Sequence, residues 1–211
     1  MATLLLHHSS FANHKTSAGH PERPDRYRAV EAVLGQPQFD ALVREEAEVA
    51  DLDATRYVHS NRYVDALEAA RPDEGYVYLD GGDTMMEPST WEVVLRGAAN
   101  ETGVGNIFNS PLAAGDGGTE LRDAFEDRIL PAVDAFSPEL IIVSAGFDAH
   151  VRDPLGSLRM TADDFAWVTR ELMKSAEKNC QGRLVAVLEG GYDLQGLADS
   201  VSAHVGELIK G

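Results

Sequence analysis

The run Leu140-Ile-Ile-Val-Ser-Ala-Gly-Phe-Asp-Ala-His-Val-Arg-Asp-Pro-Leu-Gly156 decides how this chain is read. Leu140 to Val143 have the length and β-branched content of a buried strand. The strand runs into a glycine-bounded loop carrying a carboxylate and an imidazole. Open α/β sheets bind ligands outside the carboxyl ends of their strands, so a loop of this make-up is a candidate site. Asp148 and His150 are two apart, and extended backbone would turn both to one side. There they could offer oxygen and nitrogen to a zinc-like metal. The same residues suit a plainer role, with Asp148 capping the next segment and His150 solvated in the loop.

Outward from this run the chain alternates strands and helices. Thr3 to His7 reads as a first strand, followed by a polar loop with His14, Lys15 and Gly19. Pro24 suits the first turn of a helix to about Leu34, which Gly35 and Pro37 stop. Glu46 to Ala50 reads as a second strand, and Thr55–His59 and Tyr63–Ala70 as two brief helices. Tyr76 to Asp80 is strand-like and is broken by Gly81-Gly82. A helix starts at Pro88-Ser89, and Leu121, Phe125, Ile129, Leu130, Val133 and Phe136 recur at helical spacing. Thr161-Ala-Asp-Asp164 has the look of a capping box and opens a helix to about Lys178.

Arg183 to Leu188 reads as another buried strand, running into Glu189-Gly-Gly-Tyr-Asp193, and a last helix covers roughly Leu197 to Ile209. Strand, helix, strand in this order is a βαβ unit with a parallel pair, so both loops leave the same sheet edge. Gly190 and Gly191 permit close backbone approach or positive φ. Tyr192 could then set its hydroxyl over whatever Asp148 holds, where a phenol can donate to a developing oxyanion. It equally suits packing under a tight turn.

Composition narrows the setting. A chain of 211 residues, 44% hydrophobic and 25% charged, fits one soluble globular domain, or at most two small ones, with a sizeable core. The net charge of −17 argues against nucleic acid or anionic membrane and favours cationic ligands such as polyamines or lysine side chains. It also serves solubility. The single cysteine, Cys180, excludes an internal disulfide and a cysteine-rich metal site. The first residues lack a basic region and a long apolar core, no run reaches membrane-spanning length, and the expectation is a cytoplasmic protein. No Gly-x-Ser-x-Gly elbow, P-loop or Gly-x-Gly-x-x-Gly after a strand is present, which argues against a serine hydrolase or a nucleotide binder.

Ser144-Ala-Gly-Phe-Asp-Ala-His150 with Asp153-Pro-Leu-Gly156, taken with Leu188-Glu-Gly-Gly-Tyr192, resembles the histone deacetylase family. The likeness is to the bacterial group related to class II deacetylases and acetylpolyamine amidohydrolases. His20-Pro-Glu-Arg-Pro-Asp-Arg26, Leu79-Asp-Gly-Gly-Asp-Thr84 and Asn109-Ser-Pro-Leu112 look like the same family, in the expected order. The resemblance implies a three-layer α/β fold, a mostly parallel sheet flanked by helices, and zinc-dependent hydrolysis of acetyl-lysine or an acetylated polyamine. It leaves room for a homo-oligomer. By the same resemblance Asp148 is a metal-binding aspartate and Tyr192 the tyrosine that polarises the scissile carbonyl. Gly190, Gly191 and Leu155 would line the acyl-lysine tunnel, and Arg26 an internal channel. Asp83 would be a rim carboxylate, with Asp80 as its rival. His150 is not a zinc ligand in the family pattern.

One departure is severe. The family's Pro-Gly-His-His segment, source of its acid/base histidines, and its Asp-x-His-His-Gly strand end, source of two further zinc ligands, are missing from this sequence. The only adjacent histidines, His7-His8, lie on the first strand without that context. The chain follows the family through Trp91-Glu-Val-Val-Leu-Arg-Gly-Ala98, and then Ala99-Asn-Glu-Thr-Gly-Val-Gly105 gives what normally follows the central block. The reading is one deacetylase-like domain over 1–211, with an N-terminal part, 1–98, joined to a C-terminal part, 99–211, at an internal deletion of central strands. One carboxylate cannot hold catalytic zinc, which takes three protein ligands and a water. Three functional readings stay open: a zinc deacetylase by descent, inactive as it stands; a non-catalytic, partner-binding remnant; and a metal hydrolase rebuilt from Asp148 with His150, His20 or His14.

Overall fold

The computed structural model describes residues 3–50, 52–56, 59–80, 84–97, 108 and 110–211. The chain divides into two compact units, one of Met1–Thr3, Arg28–Leu42 and Ile107–Gly211 and the other of Leu4–Tyr27 and Val43–Asn106.

The first unit is built on two parallel strands. β5 (Ile141–Ala145) and β6 (Leu184–Leu188) pair in register from Ile141 opposite Leu184 to Ala145 opposite Leu188. The connection between them contains helix α7 (Ala162–Cys180), as a parallel pair requires. Asp164 fixes the start of α7 by accepting from both the N–H and the hydroxyl of Thr161, at 2.9 and 2.8 Å. Its other oxygen accepts from Arg122 at 2.8 Å. Side chains alternate across a strand, and one face of the pair is buried. Ile141, Val143 and Leu184 cluster there with Ala176 and Cys180 of α7 and with Val133.

The opposite face is open. Ile141 is 9% exposed, while its neighbour Ile142 is 63% and Val185 48% exposed. The sequence reads these strands as buried, but among the described residues only one face is covered. Purely parallel sheets are ordinarily covered on both.

Helix α5 (Gly118–Ala124) continues through a wide π-helical turn, Phe125–Ile129, into α6 (Leu130–Phe136). Pro131 has no N–H to donate and its ring crowds the carbonyl four residues back, a reason for the ladder to widen here. Leu130 N–H bonds to Phe125 O, five residues back. Phe136 is exposed and not on the packed side that its spacing suggests.

Helix α8 (Leu194–Leu208) packs on α7. Arg170 and Glu207 form an ion pair at 2.9 Å between them. Deeper in, the Thr169 hydroxyl donates to Phe165 O at 2.7 Å and lies 2.7 Å from His204 Nδ1. His204 is buried, edge-on to Phe147, and its Nε2 has no partner among the described residues.

The second unit holds two more strand pairs. β1 (Leu4–His7) runs parallel to β2 (Val43–Glu46), and β3 (Val77–Tyr78) antiparallel to β4 (Met85–Met86). The sequence places β2 at Glu46–Ala50. The strand lies earlier, and all four of its residues are exposed, so no apolar alternation marks it. Helix α1 (Pro24–Leu34), which from Arg28 onward belongs to the first unit, starts on Pro24 as expected. A single turn, α2, spans Leu52–Thr55, and α3, Asn61–Ala69, starts behind Ser60, which accepts from Tyr63 N–H. Helix α4 is Thr90–Gly97. Of the expected deletion point around Gly97 to Asn100 only Gly97 is among the described residues, and the turn glycines Gly81 and Gly82 lie outside them.

Two stability outcomes follow from this packing. Ile141→Ala should cost about 2–5 kcal/mol in urea unfolding, the range for a truncated core isoleucine. Ile142→Ala should cost under about 1 kcal/mol, as at an exposed position. Burial also holds the His204 imidazole well below its ordinary value of 6.5, at about 4. Between those values the unfolded chain binds a proton that the folded chain refuses, so stability is full near neutral pH and falls as pH drops from about 6.5 towards 4. Wild type should lose about 2 kcal/mol more than His204→Leu between pH 7.5 and pH 5. Parallel urea midpoints for the two proteins measure that difference.

Candidate active site

The two loops that leave β5 and β6 are stitched together at their roots. Glu189 N–H donates to Ala145 O at 3.0 Å and Phe147 N–H to Gly190 O at 3.0 Å, continuing the ladder past the strands. The Ser144 hydroxyl donates to Glu189 at 3.0 Å. This brings Asp148 against the second loop. A Cβ on Gly190 would collide with the Asp148 carboxylate, and one on Gly146 would sit 3.1 Å from Asp148 Oδ1. The carboxylate thus occupies space that any other residue at 190 would fill. Gly191 has φ +123°, and a Cβ there would come within 2.9 Å of Leu197 and 3.2 Å of Phe147. Both glycines serve the close approach that the sequence suggests for them.

The predicted pairing of Asp148 with His150 does not form as extended backbone would have it. His150 N–H bonds to Phe147 O at 3.1 Å and Asp153 N–H to His150 O at 2.8 Å, so the segment turns. His150 is buried, stacks on Phe165 at 6.5 Å between ring centroids, and has its Nδ1 against Gly196, where a Cβ would lie 2.7 Å away. Its Nδ1 accepts from Arg152 N–H at 3.2 Å. It is a packed residue, not a solvated one.

Two carboxylates that the sequence reading passed over hold the loops in place. Asp153 is 9% exposed; its Oδ1 accepts from the N–H groups of Leu155 and Gly156 at 2.9 and 3.0 Å, and its Oδ2 from Tyr192 N–H at 2.7 Å. Asp193 caps α8 by accepting from Gly196 N–H at 2.7 Å, and Arg152 Nε donates to the same oxygen at 3.0 Å. The Gly196 bond holds the Asp193 carboxyl below its usual range, helped by Arg152 and opposed by burial. Both were readable in principle: Asp before Pro-Leu-Gly is an Asx-turn signal, and Asp before a helical run is an N-cap. The cap starts α8 three residues before the expected Leu197.

The remaining predicted residues fall in both units. Leu155 lies on the Asp148 loop with its side chain exposed, and Tyr192 is half-buried on the partner loop. Arg26 belongs to the other unit, buried and paired with Glu22. Asp83 lies outside the described residues. Its rival Asp80 is committed to a turn, accepting from Thr84 N–H at 2.6 Å and from its hydroxyl at 2.8 Å. His14 and His20 also lie in the other unit, and His20 Nδ1 accepts from Glu22 N–H at 3.1 Å.

These residues do not fit a catalytic zinc. Such a metal needs three protein ligands with one position left open. Among the described residues no group of three His, Cys, Asp or Glu side chains converges on one point, and the nearest neighbours of the Asp148 carboxylate include two glycines. The site can present a carboxylate and, two residues beyond Gly190, a phenol.

Comparison with known proteins agrees with the motifs. Residues 95–208 match the family model for the histone deacetylase domain. The chain is 41% identical over 144 residues to histone deacetylase 10, chloroplastic, of Oryza sativa, covering 68% of this chain and 31% of that protein. It is 42% identical over 100 residues to histone deacetylase 14, chloroplastic, of Arabidopsis thaliana, covering 47% and 24%. A histone deacetylase-like amidohydrolase of Pseudomonas aeruginosa is 40% identical over 92 residues, covering 44% and 24%. The chain thus spans less than a third of the length of each of these relatives. In fold it superposes on the HD domain of HDA15 with a TM-score of 0.80 at 19% identity, covering 99% of this chain and 89% of that one. The histone deacetylase Clr3 gives 0.67 at 19% identity, covering 99% and 52%. With more than half its length inside the family model and an arginase/deacetylase-like α/β architecture, the chain belongs to the histone deacetylase family.

Proposed function

We propose that this chain is a deacetylase-type amide hydrolase by lineage that keeps the substrate side of the site, lacks the metal side, and does not turn over substrate as it stands. The observation that carries the reading is the pair of stitched loops at the carboxyl ends of β5 and β6. They present Asp148 in its glycine cradle on one strand end and Gly190, Gly191 and Tyr192 on the other. The substrate class is an acetylated primary amine, acetyl-lysine or acetylpolyamine, consistent with a net charge of −17 that draws cationic chains. Leu155, Gly190 and Gly191 would line the approach of the acyl chain, and the Tyr192 hydroxyl would donate to the carbonyl oxygen. Hydrolysis needs more than this, because among the described residues no group of three His, Cys, Asp or Glu side chains gathers to hold a metal that would activate water.

The division at 98/99 belongs to the same reading, with the central block lost between an N-terminal and a C-terminal part. A cytoplasmic setting is also part of it. The open face of the β5–β6 pair favours a second reading, a partner-binding remnant, since an uncovered apolar parallel face is where another polypeptide could pack.

Calorimetric titration of the metal-stripped full chain with zinc, run beside an acetyl-lysine turnover assay, tests the proposal. No stoichiometric zinc binding and no turnover above background are expected. One zinc per chain, with turnover that Asp148→Asn abolishes, would overturn it and restore a working metal centre.

A further inference from the structure

We infer that Asp153 is the positioning residue of this site: its carboxylate ties the main chain at Tyr192 to the loop that carries Asp148. The inference rests on Tyr192 being the functional tyrosine of the proposed reading, and it assigns a role to a residue that touches no reacting group. The geometry is specific. The side chain is 9% exposed, and its two oxygens divide their work between two loops. Oδ1 accepts from Leu155 N–H at 2.9 Å and Gly156 N–H at 3.0 Å, closing the Asp148 loop on itself. Oδ2 accepts from Tyr192 N–H at 2.7 Å, across 39 residues of sequence.

Gly156 packs so tightly under this loop that a Cβ there would collide with the Asp148 carbonyl oxygen. Asp153 therefore fixes Gly156, Gly156 lies against the Asp148 main chain, and the same carboxylate fixes Tyr192. A charged acceptor binding three N–H donors makes stronger bonds than neutral partners would.

Two acceptor oxygens are required, which gives the role a signature. Asparagine offers one acceptor oxygen, and its NH2 would face an N–H on the other side. Asp153→Asn should therefore keep one loop and release the other, whereas Asp153→Ala should release both.

Residue-resolved amide hydrogen exchange on the full chain tests this. In the wild type the amides of Leu155, Gly156 and Tyr192, all outside helix and strand, should exchange at least about tenfold more slowly than in an unstructured peptide. In Asp153→Asn either Tyr192 or the Leu155–Gly156 pair should speed up about tenfold or more, with Val143 and Ala186 in the strands changing much less. In Asp153→Ala all three should speed up. Unprotected amides at these positions in the wild type would overturn the inference without any variant having to fold. So would an equal rise at every amide in the variants, which marks a general loss of stability, or no change at Tyr192 in either variant. The outcome is independent of zinc binding and turnover, so a failed hydrolase reading and a failed positioning role give different results.

Discussion

The parallel register of β5 and β6 is the constraint on which the rest of the first unit depends. Five residue pairs, Ile141 with Leu184 through Ala145 with Leu188, bring Gly146 and Glu189 to the same level. The two bonds past the strand ends then hold the loops in contact before any side chain contributes. A slip of β6 by one residue would turn Val185 inward and Leu184 outward against the unchanged face of β5. It would also part Asp148 from Gly190. Core and site are therefore set by one choice of register, and the core residues Ala176 and Cys180 enforce it from the helix side.

The βαβ arrangement was legible because its signals are local and strong: two apolar runs, a helix with its acidic cap at Asp164, and a glycine loop. What the sequence hid has physical causes. β2 carries Val43-Arg-Glu-Glu46, exposed at every position, so burial left no mark on its composition. The pairing of Asp148 with His150 assumed extended backbone, and the turn bonds from His150 and Asp153 replaced it with a bend. The buried reading of both strands was half right, since alternation between faces cannot be heard in a run where every residue is apolar. Asp153 and Asp193 were in view as letters, but their work lies in accepting main-chain N–H groups, one of them far away in sequence, and spacing alone does not reveal that.

Family membership and a metal centre make different demands on the chain. The motifs that identify the family are those that shape backbone: glycines that admit a carboxylate, an aspartate that closes a turn, a tyrosine on a tight loop. Each survives folding without a metal because its partners are N–H groups and carbon atoms of the same unit. A metal centre asks for side chains from several strand ends converging within a few ångströms, and Asp148 has no such company among the described residues. The loops are nonetheless held by hydrogen bonds and packing that involve no metal.

The wide turn at Phe125–Ile129 alters the phase of the helix it interrupts. On an ideal α-helix the eight positions from Phe125 to Val133 would leave the two side chains about 80° apart around the axis. One extra residue taken up in a π-helical turn removes about 100° of winding, which returns them to nearly the same side. Phe125 then meets Trp167 edge-on at 6.2 Å while Val133 reaches the Ala176–Cys180 cluster, both along α7. Asp134, one position on, reaches Lys178 at 2.6 Å and Asn179 at 2.8 Å of the same helix. The local irregularity acts as a gear correction: it lets a helix interrupted by a proline keep a single partner along its whole length.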